Sequence, residues 1–238
     1  MKPRAIFFDM DDTLLNTSRG VEESWQLVCR EFAPRLSIDS DALREAIKKQ
    51  ASDFWKDEAA VELRWRTRLH DARRHIVELA LTSEGLDVAV AEELSMRYWH
   101  ENRSRMQLFD DAITTLEALR SRGYRLGLIT NGPAEMQLDK LARFELEPYF
   151  DVVVIEGVFG KGKPAPEVFS HALAMTATDA GEAWHVGDNL YADIGGAQSL
   201  GIHGVWIHRE RLQMGDTPAA IPDRVVAHLD ELLAALGD

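Results

Sequence analysis

Short apolar runs closed by polar or glycine-rich residues punctuate the chain at 5–8 (AIFF), 125–129 (RLGLI), 152–155 (VVVI), 183–186 (AWHV) and 204–207 (GVWI). Runs of this length, apolar at nearly every position rather than at alternate ones, predict strands buried on both faces of a parallel sheet. Between them, apolar residues recur at helical spacing over 112–122, which Gly123 stops, and over 134–144. The same spacing holds over 166–175, where Pro166 suits a helix start, and over 192–200, which Gly201 stops. This alternation predicts an α/β fold, a doubly wound Rossmann-like parallel sheet that takes its ligands at the carboxyl ends of its strands.

Residues 17–105 break the pattern, with helical periodicity and no convincing strand over roughly ninety residues. Structureless connections beyond about 15 residues are uncommon in compact domains, so the insertion is expected to be a second, helical domain. The predicted organisation is an α/β core of 1–16 plus 106–238 and a helical domain of 17–105, with linkers near 16–18 and 105–110. No internal repeat or low-complexity tract interrupts it.

At 238 residues and 45% apolar, the chain has the material for such a core. Its formal charge of −13 argues against a surface that tracks nucleic acid or anionic lipid, so an anionic substrate must be captured locally. The single cysteine, Cys29, lies in the periodic stretch SWQLVCREF and reads as a small buried hydrophobe. No apolar run of about 18 residues offers a membrane span, and acidic residues interrupt the first apolar run too early for a signal peptide. A cytoplasmic protein is expected, monomeric or homodimeric, with neither nucleic-acid nor membrane partners.

Directly after the first run stands DMDDT, where Asp9, Asp11 and Asp12 repel one another and make poor strand or helix. A hard cation such as Mg2+ takes oxygen ligands and relieves such a cluster. A second acidic pair, Asp188 and Asp193, follows another apolar run, and two clusters at two strand ends can converge on one cation. The run at 125–129 leads into Thr130, Asn131 and Gly132, a hydroxyl, an amide and backbone donors ahead of a helix, which is an anion cradle. The run at 152–155 leads through EGVFGKGKPAP to Lys163, placed to offer a point charge to phosphate. Singly, each set reads as an ordinary turn; jointly, one per strand end, they read as a site.

DMDDT at 9–13, ITNG at 129–132, GKGKPAPEVF at 160–169 and GDNLYAD at 187–193 resemble, in order and position, the four motifs of the haloacid dehalogenase superfamily of phosphohydrolases. The insertion lies where the subfamily with a helical cap between the first and second motifs carries it. The ITNG form and the stretch 146–169 resemble N-acylneuraminate-9-phosphatase-like and pyrimidine-nucleotidase-like members. The resemblance implies a Mg2+-dependent phosphatase acting on a small phosphorylated metabolite, such as a sugar phosphate or nucleotide. It makes Asp9 the nucleophile that forms an aspartyl-phosphate, and Asp11 the group that protonates the leaving alkoxide and later deprotonates water. It places Mg2+ on the Asp9 side chain, the Asp11 backbone carbonyl and Asp188, and Thr130, Asn131 and Lys163 around the phosphoryl group. Behind them it puts Thr13 and Asp193, the latter orienting Lys163 or a metal-bound water. Asp12 matches a variable position and reads as a helix-start carboxylate or a solvated residue.

The chain departs from many relatives in carrying Glu156 for serine, and Ala165 for the aspartate frequent after Lys-Pro. A phosphomutase shares the same covalent step and differs in whether water is admitted. A 2-haloacid dehalogenase has no pentavalent phosphorus to neutralise, which makes Asp11 and Asp188 liabilities. A non-catalytic phospho-acceptor has no use for an acid two residues from its acceptor.

Core motifs see only the phosphoryl group, so substrate choice falls to the cap. The segment RWRTRLHDARRH at 64–75 concentrates arginines beside Asp57, Glu58, Glu62 and Asp71, which as a solvated face would balance about half of them. On one continuous helix Arg64 and Arg68 share a face offset from the more exposed Arg66 and Arg73, and they are the candidates for gripping the leaving group.

Overall fold

The computed structural model describes residues 2–56, 63–209 and 219–237, and gives the backbone alone at 63 and 64. Two compact units emerge, Met1–Asn16 with Gln107–Asp238, and Thr17–Met106.

In the first unit the strands are β1 (Ala5–Phe8), β2 (Leu15–Asn16), β3 (Gln107–Leu108) and β4 (Arg125–Thr130), then β5 (Val152–Ile155), β6 (Ala183–Gly187), β7 (His203–Ile207) and β8 (Arg224–Val226). Six of them form one parallel sheet in the order β5-β4-β1-β6-β7-β8. The order reverses at β1, which opens a crevice beyond the carboxyl ends of β1 and β6. Strand β8 was not foreseen, because RVV is short and mostly exposed. Nor was the antiparallel β2–β3 ribbon, two residues on each side, where the sequence suggested plain linkers.

Every residue of β1 is buried. Alternation sends Ile6 and Phe8 into a cluster with Leu126, Leu128 and Val186, covered by helices Ala112–Ser121 and Glu231–Leu236. Ala5 and Phe7 join Val152, Val154 and Ala183 on the opposite face, covered by helix Pro166–Met175. Full burial of each Phe side chain contributes about 1.5–3 kcal/mol, so the strand carrying Asp9 is anchored from both sides.

Two loops differ from their expected form. The helix anticipated at 192–200 begins as a widened π-helical turn, Leu190–Gly195, capped by Asn189, whose side chain accepts from the N–H groups of Tyr191 and Ala192. Only Gly196–Gln198 is α-helical. The glycine-spaced stretch before Lys163 holds a short helical turn, Glu156–Phe159, ended by Gly160 at φ 84°. Asp12 stands at no helix start; it takes a left-handed turn, φ 56°, a conformation aspartate tolerates better than most residues.

The second unit consists of helices Val21–Leu36, Ser40–Trp55, Leu63–Arg66, Leu69–Ser83 and Ala91–Arg105, with no strand among its described residues. Val28, Phe32, Leu43, Ile47, Val77 and Leu94 build its core. Cys29 lies among them, and burial pushes its thiol up to about 12, so it is inert packing. The segment 64–75 is not one helix. It breaks at Thr67 and Arg68, the latter at φ −132° and ψ 60°, so Arg64 and Arg68 do not share a helical face. The side chain of Arg64 lies outside the described residues. Arg68 is exposed, whereas Arg73, expected to be the more exposed, is half-buried. Among the described residues no helix is long and apolar enough to cross a membrane.

Candidate active site

The N–H of Asp9 donates to the carbonyl of Val186 at 2.9 Å, which continues the β1–β6 pairing one residue past the strand and delivers the Asp9 side chain into the crevice. Lys163 Nζ donates to Asp9 Oδ1 at 2.5 Å and lies 2.6 Å from Asp193 Oδ1. All three are buried; Lys163 is 1% exposed. A side chain this long is fixed there by Asn131, whose Oδ1 accepts from Lys163 N at 2.7 Å and whose Nδ2 donates to Lys163 O at 2.8 Å. Oδ1 and one Nδ2 hydrogen of the Asn131 amide thereby hold the lysine backbone, and the second Nδ2 hydrogen is left over. Gly162 makes room, since a Cβ there would meet Glu156 Cδ at 2.5 Å and Asn131 Oδ1 at 2.6 Å.

Asp193 is saturated. Its Oδ1 also contacts His185 Nε2 at 2.9 Å, and its Oδ2 accepts from Asn189 N at 3.0 Å. A Cβ on Gly187 would come within 2.2 Å of Asp193 Cγ, so the glycine of GDN is a steric requirement. Asp188 is oriented through its carbonyl, which accepts from Trp206 Nε1 at 2.7 Å.

Burial is the largest influence on Asp9. It raises the carboxyl to about 7, assisted by the charges of Asp193 and Asp11 against the opposing pull of Lys163. Asp188 is raised as well, first by desolvation and then by Asp9, Asp193 and Asp12, although the residue is exposed, which tempers the effect. Burial alone would raise Asp193 and lower Lys163, but their ion pair overrides it: Asp193 is held well below the usual carboxylate range and Lys163 above the usual ammonium range. His185 is pushed down by burial and stays a neutral prop.

One carboxylate oxygen from each of Asp9, Asp188 and Asp193 lies within 4.8 Å of the others. Both oxygens of Asp193 are already engaged, by Lys163, His185 and Asn189 N, whereas Asp188 and the Asp9 carboxylate, whose Oδ2 takes no hydrogen bond among the described residues, are the more open donors. Both carboxyls are raised first by desolvation and then by neighbouring negative charge, and an all-oxygen donor set of this kind fits a hard divalent cation.

Asp11 points elsewhere. Lys140 Nζ donates to both its oxygens, at 2.7 and 2.8 Å, and Gln137 Nε2 donates to Oδ2 at 3.0 Å. The same Gln137 Nε2 reaches Thr130 Oγ1 at 2.6 Å, and Lys140 donates to Gln137 Oε1 at 2.8 Å. Thr130 therefore sits at the end of the Asp11 network as well as at the tip of β4. Thr13 is fully buried; its Oγ1 has no hydrogen-bond partner among the described residues, while its carbonyl accepts from Arg209 Nη2 at 3.0 Å. Arg209 in turn forms a two-pronged pair with Asp111 at 2.7 and 3.1 Å and so ties down the DMDDT loop.

Gln137, Lys140, His185 and Arg209 were missed by sequence reasoning. Gln137 and Lys140 sit three apart just after ITNG, on one face of helix Ala134–Arg143, and that spacing is a usable signal. It was masked because the helix buries these polar residues and exposes Leu138. Glu156, noted as a departure, is buried and accepts from Gly132 N at 2.9 Å, which pins the loop after β4 to the loop after β5.

Comparison with known proteins identifies the family. Residues 3–201 match the family model of haloacid dehalogenase-like hydrolases. Phosphoserine phosphatase of Thermus thermophilus is 36% identical, with 98% of each chain aligned. Glyceraldehyde 3-phosphate phosphatase of Pyrococcus abyssi is 31% identical over 85% of this chain and 80% of its own. N-acylneuraminate-9-phosphatase of Mus musculus is 30% identical over 98% of this chain and 93% of its own. Among solved structures, a phosphatase of the same superfamily from Thermococcus onnurineus superposes with a TM-score of 0.69 at 31% identity, covering 100% of this chain and 98% of that one. With four motifs at four strand ends of a switch-point sheet and a family match over most of its length, the chain belongs to the haloacid dehalogenase-like hydrolases.

Proposed function

We propose that the chain is a phosphatase that takes the phosphoryl group of a small phosphorylated metabolite onto Asp9 and then passes it to water. The observation that carries this reading is the buried Asp9–Lys163–Asp193 array, in which Lys163 holds one Asp9 oxygen and leaves the other open. The Asp9 carboxylate attacks phosphorus as the bond to the leaving oxygen breaks, and that oxygen takes a proton from Asp11. In the second half, Asp11 accepts the proton of the water that attacks phosphorus, and inorganic phosphate departs from a restored Asp9. Lys163, the Thr130 hydroxyl and Asn131 share the phosphoryl charge, and Asn131 also holds Lys163 in place. Asp9, Asp188 and the Asp11 carbonyl are the oxygens that would hold Mg2+, which when bound offsets the repulsion between anionic nucleophile and anionic substrate. The related phosphatases are named for chemically different substrates, and the shared class, a phosphomonoester of a small metabolite, is the one proposed here. The acidic chain is expected to work in the cytoplasm as a monomer or homodimer, apart from nucleic acid and membranes.

With Mg2+ the protein should release inorganic phosphate from 4-nitrophenyl phosphate, stop when EDTA is added, and resume with excess Mg2+. Release no greater than that of an Asp9→Asn control overturns the reading.

Asp11→Asn should lower kcat more for alkyl than for nitrophenyl phosphates, because nitrophenolate departs with little help from an acid. Lys140→Met removes two of the three hydrogen bonds that orient Asp11 and should lower kcat roughly tenfold, the usual scale for a group supporting a reacting one. Steady-state kinetics on a leaving-group series checks both; equal losses across the series in Asp11→Asn would remove the acid role.

A further inference from the structure

At the amino ends of β1 and β4, the edge of the sheet opposite the active site, the first unit carries a second concavity. A cavity of about 600 Å³ opens there, lined by Lys2, Arg4, Arg122 and Arg125 and by no acidic side chain among the described residues. In a chain with 27 lysines and arginines against 40 acidic residues, four cations around one cavity concentrate the scarcer charge. Arg4 and Asp9 bracket β1, and at about 3.3 Å per residue their backbones stand on the order of 16 Å apart. One small molecule does not span both places.

The cationic wall is built from neighbouring backbone. Arg125 N donates to the Arg4 carbonyl at 3.0 Å, where β1 and β4 begin side by side, and Gly123 at φ 83° turns the chain between Arg122 and Arg125. Arg122 is held from behind: its Nη1 donates to the carbonyls of Leu233 and Gly237 at 3.2 and 3.3 Å, and no carboxylate pairs with it among the described residues. Arg4 pairs with Glu182 at 3.3 Å and Arg125 with Asp151 at 3.7 Å, but both arginines are largely exposed, so each pair is weak and yields to a better acceptor. The hydroxyls on the facing wall are committed, Thr176 to the carbonyl of Ala172 at 2.8 Å and Thr178 to that of Thr176 at 3.1 Å. Recognition therefore falls to the guanidinium and ammonium groups. Helices Ala112–Ser121 and Pro166–Met175 end at this cavity and bring about half a negative charge each. Neutralising those ends is one duty of the cations, and four unit charges exceed it.

We propose that this cavity binds a small polyanion with two neighbouring phosphoryl groups, at a site separate from the catalytic one. A guanidinium donates two parallel hydrogen bonds to one phosphoryl group, so a ligand with two such groups engages two arginines at once, which a monophosphate does not. A nucleoside diphosphate and a bisphosphorylated metabolite share this chemistry. The site does not depend on the phosphatase reading above, since none of its residues takes part in that chemistry.

Methylenebisphosphonate is a suitable probe, because its C–P bonds resist a phosphatase. In low-salt buffer with EDTA, which removes metal-assisted capture at Asp9 and Asp188, titration calorimetry should show saturable binding to the parent protein and binding of methylphosphonate on the order of tenfold weaker. Arg122→Gln and Arg125→Gln should each weaken the bisphosphonate on the order of tenfold, whereas Lys163→Met, held below its melting temperature, should change it less than about twofold. Salt at about 0.5 M should remove most of the binding. The probe should raise the melting temperature of the parent and not that of Arg122→Gln. Both arginines are exposed, so without ligand the two variants should melt within about 2 °C of the parent. ADP binding tighter than the bisphosphonate marks a nucleotide as the occupant; ADP binding no tighter marks the phosphoryl pair alone. The proposal is overturned if the parent shows no saturable binding, or if binding survives both arginine substitutions. It is overturned equally if binding is lost in Lys163→Met and kept in the arginine variants, which would place the anion at the active site.

Discussion

Asp9→Asn should lower phosphate release on the order of 10,000-fold or more while leaving the fold intact, because the amide is nearly isosteric and has no nucleophilic oxygen to offer phosphorus. The fold should tolerate it because Lys163 keeps Asp193 as a partner at 2.6 Å. Stability should even gain at neutral pH once metal is chelated. The Asp9 carboxyl is raised from 3.8 to about 7 in the folded chain, so between those values the folded state retains a proton that the unfolded state has released. Stability falls with rising pH wherever the folded state binds more protons, and Asp9 contributes such a fall across that window. Asparagine contributes none. In EDTA the melting temperature of Asp9→Asn relative to the parent should therefore climb from about pH 4 to about pH 7 and level off above it. A relative melting temperature that stays flat over that range would show that Asp9 is not desolvated as described, and a kcat comparable to the parent's would remove it as nucleophile.

What the sequence disclosed about this site, and what it hid, follows from the range over which each signal acts. Apolar runs flanked by turns are local, so the strands ending at Phe8, Thr130, Ile155 and Gly187 could be read directly, and with them Asp9, Lys163 and Asp188 at strand ends. Roles depend on partners brought together by the fold. Asn131 was legible as an anion ligand, but not its second task of stapling the Lys163 backbone, a contact between residues 32 apart in sequence. Asp11 and Lys140 meet across 129 residues, and no periodicity announces such a pair. The shared face expected of Arg64 and Arg68 is absent for a local reason instead: helical spacing assigns faces only along an unbroken helix, and the break at Thr67 and Arg68 resets the phase. Arg73 then turned inward against Tyr98 while Arg68 stayed outside.

Lys163→Met is the harshest test of the assembled centre. Methionine approximates the lysine stem in volume, so packing around residue 163 is nearly conserved and the change isolates the charge. What remains is Asp9, raised by burial even with the lysine present, and Asp193, whose low proton affinity exists because of that lysine. Removing one partner of a buried ion pair leaves the other charge uncompensated and typically costs 3–5 kcal/mol. For a unit of this size each kcal/mol moves the transition by about 2–4 °C, so a drop on the order of 10 °C is expected in metal-free buffer. The loss should shrink in the double variant Lys163→Met, Asp9→Asn, where one of the two stranded carboxylates is gone; that coupling separates electrostatics from a packing defect, which the second substitution would not relieve. Turnover should fall with it, since the phosphoryl group loses its buried cation and Asp9 the contact that fixes its carboxylate. Thermal melts of the four proteins in the cycle, with phosphate release from the parent and the lysine variant, decide the matter. Additive destabilisation within about 0.5 kcal/mol would mean that Lys163 holds its place for packing, and the buried array would then lose its standing as the centre of the reaction.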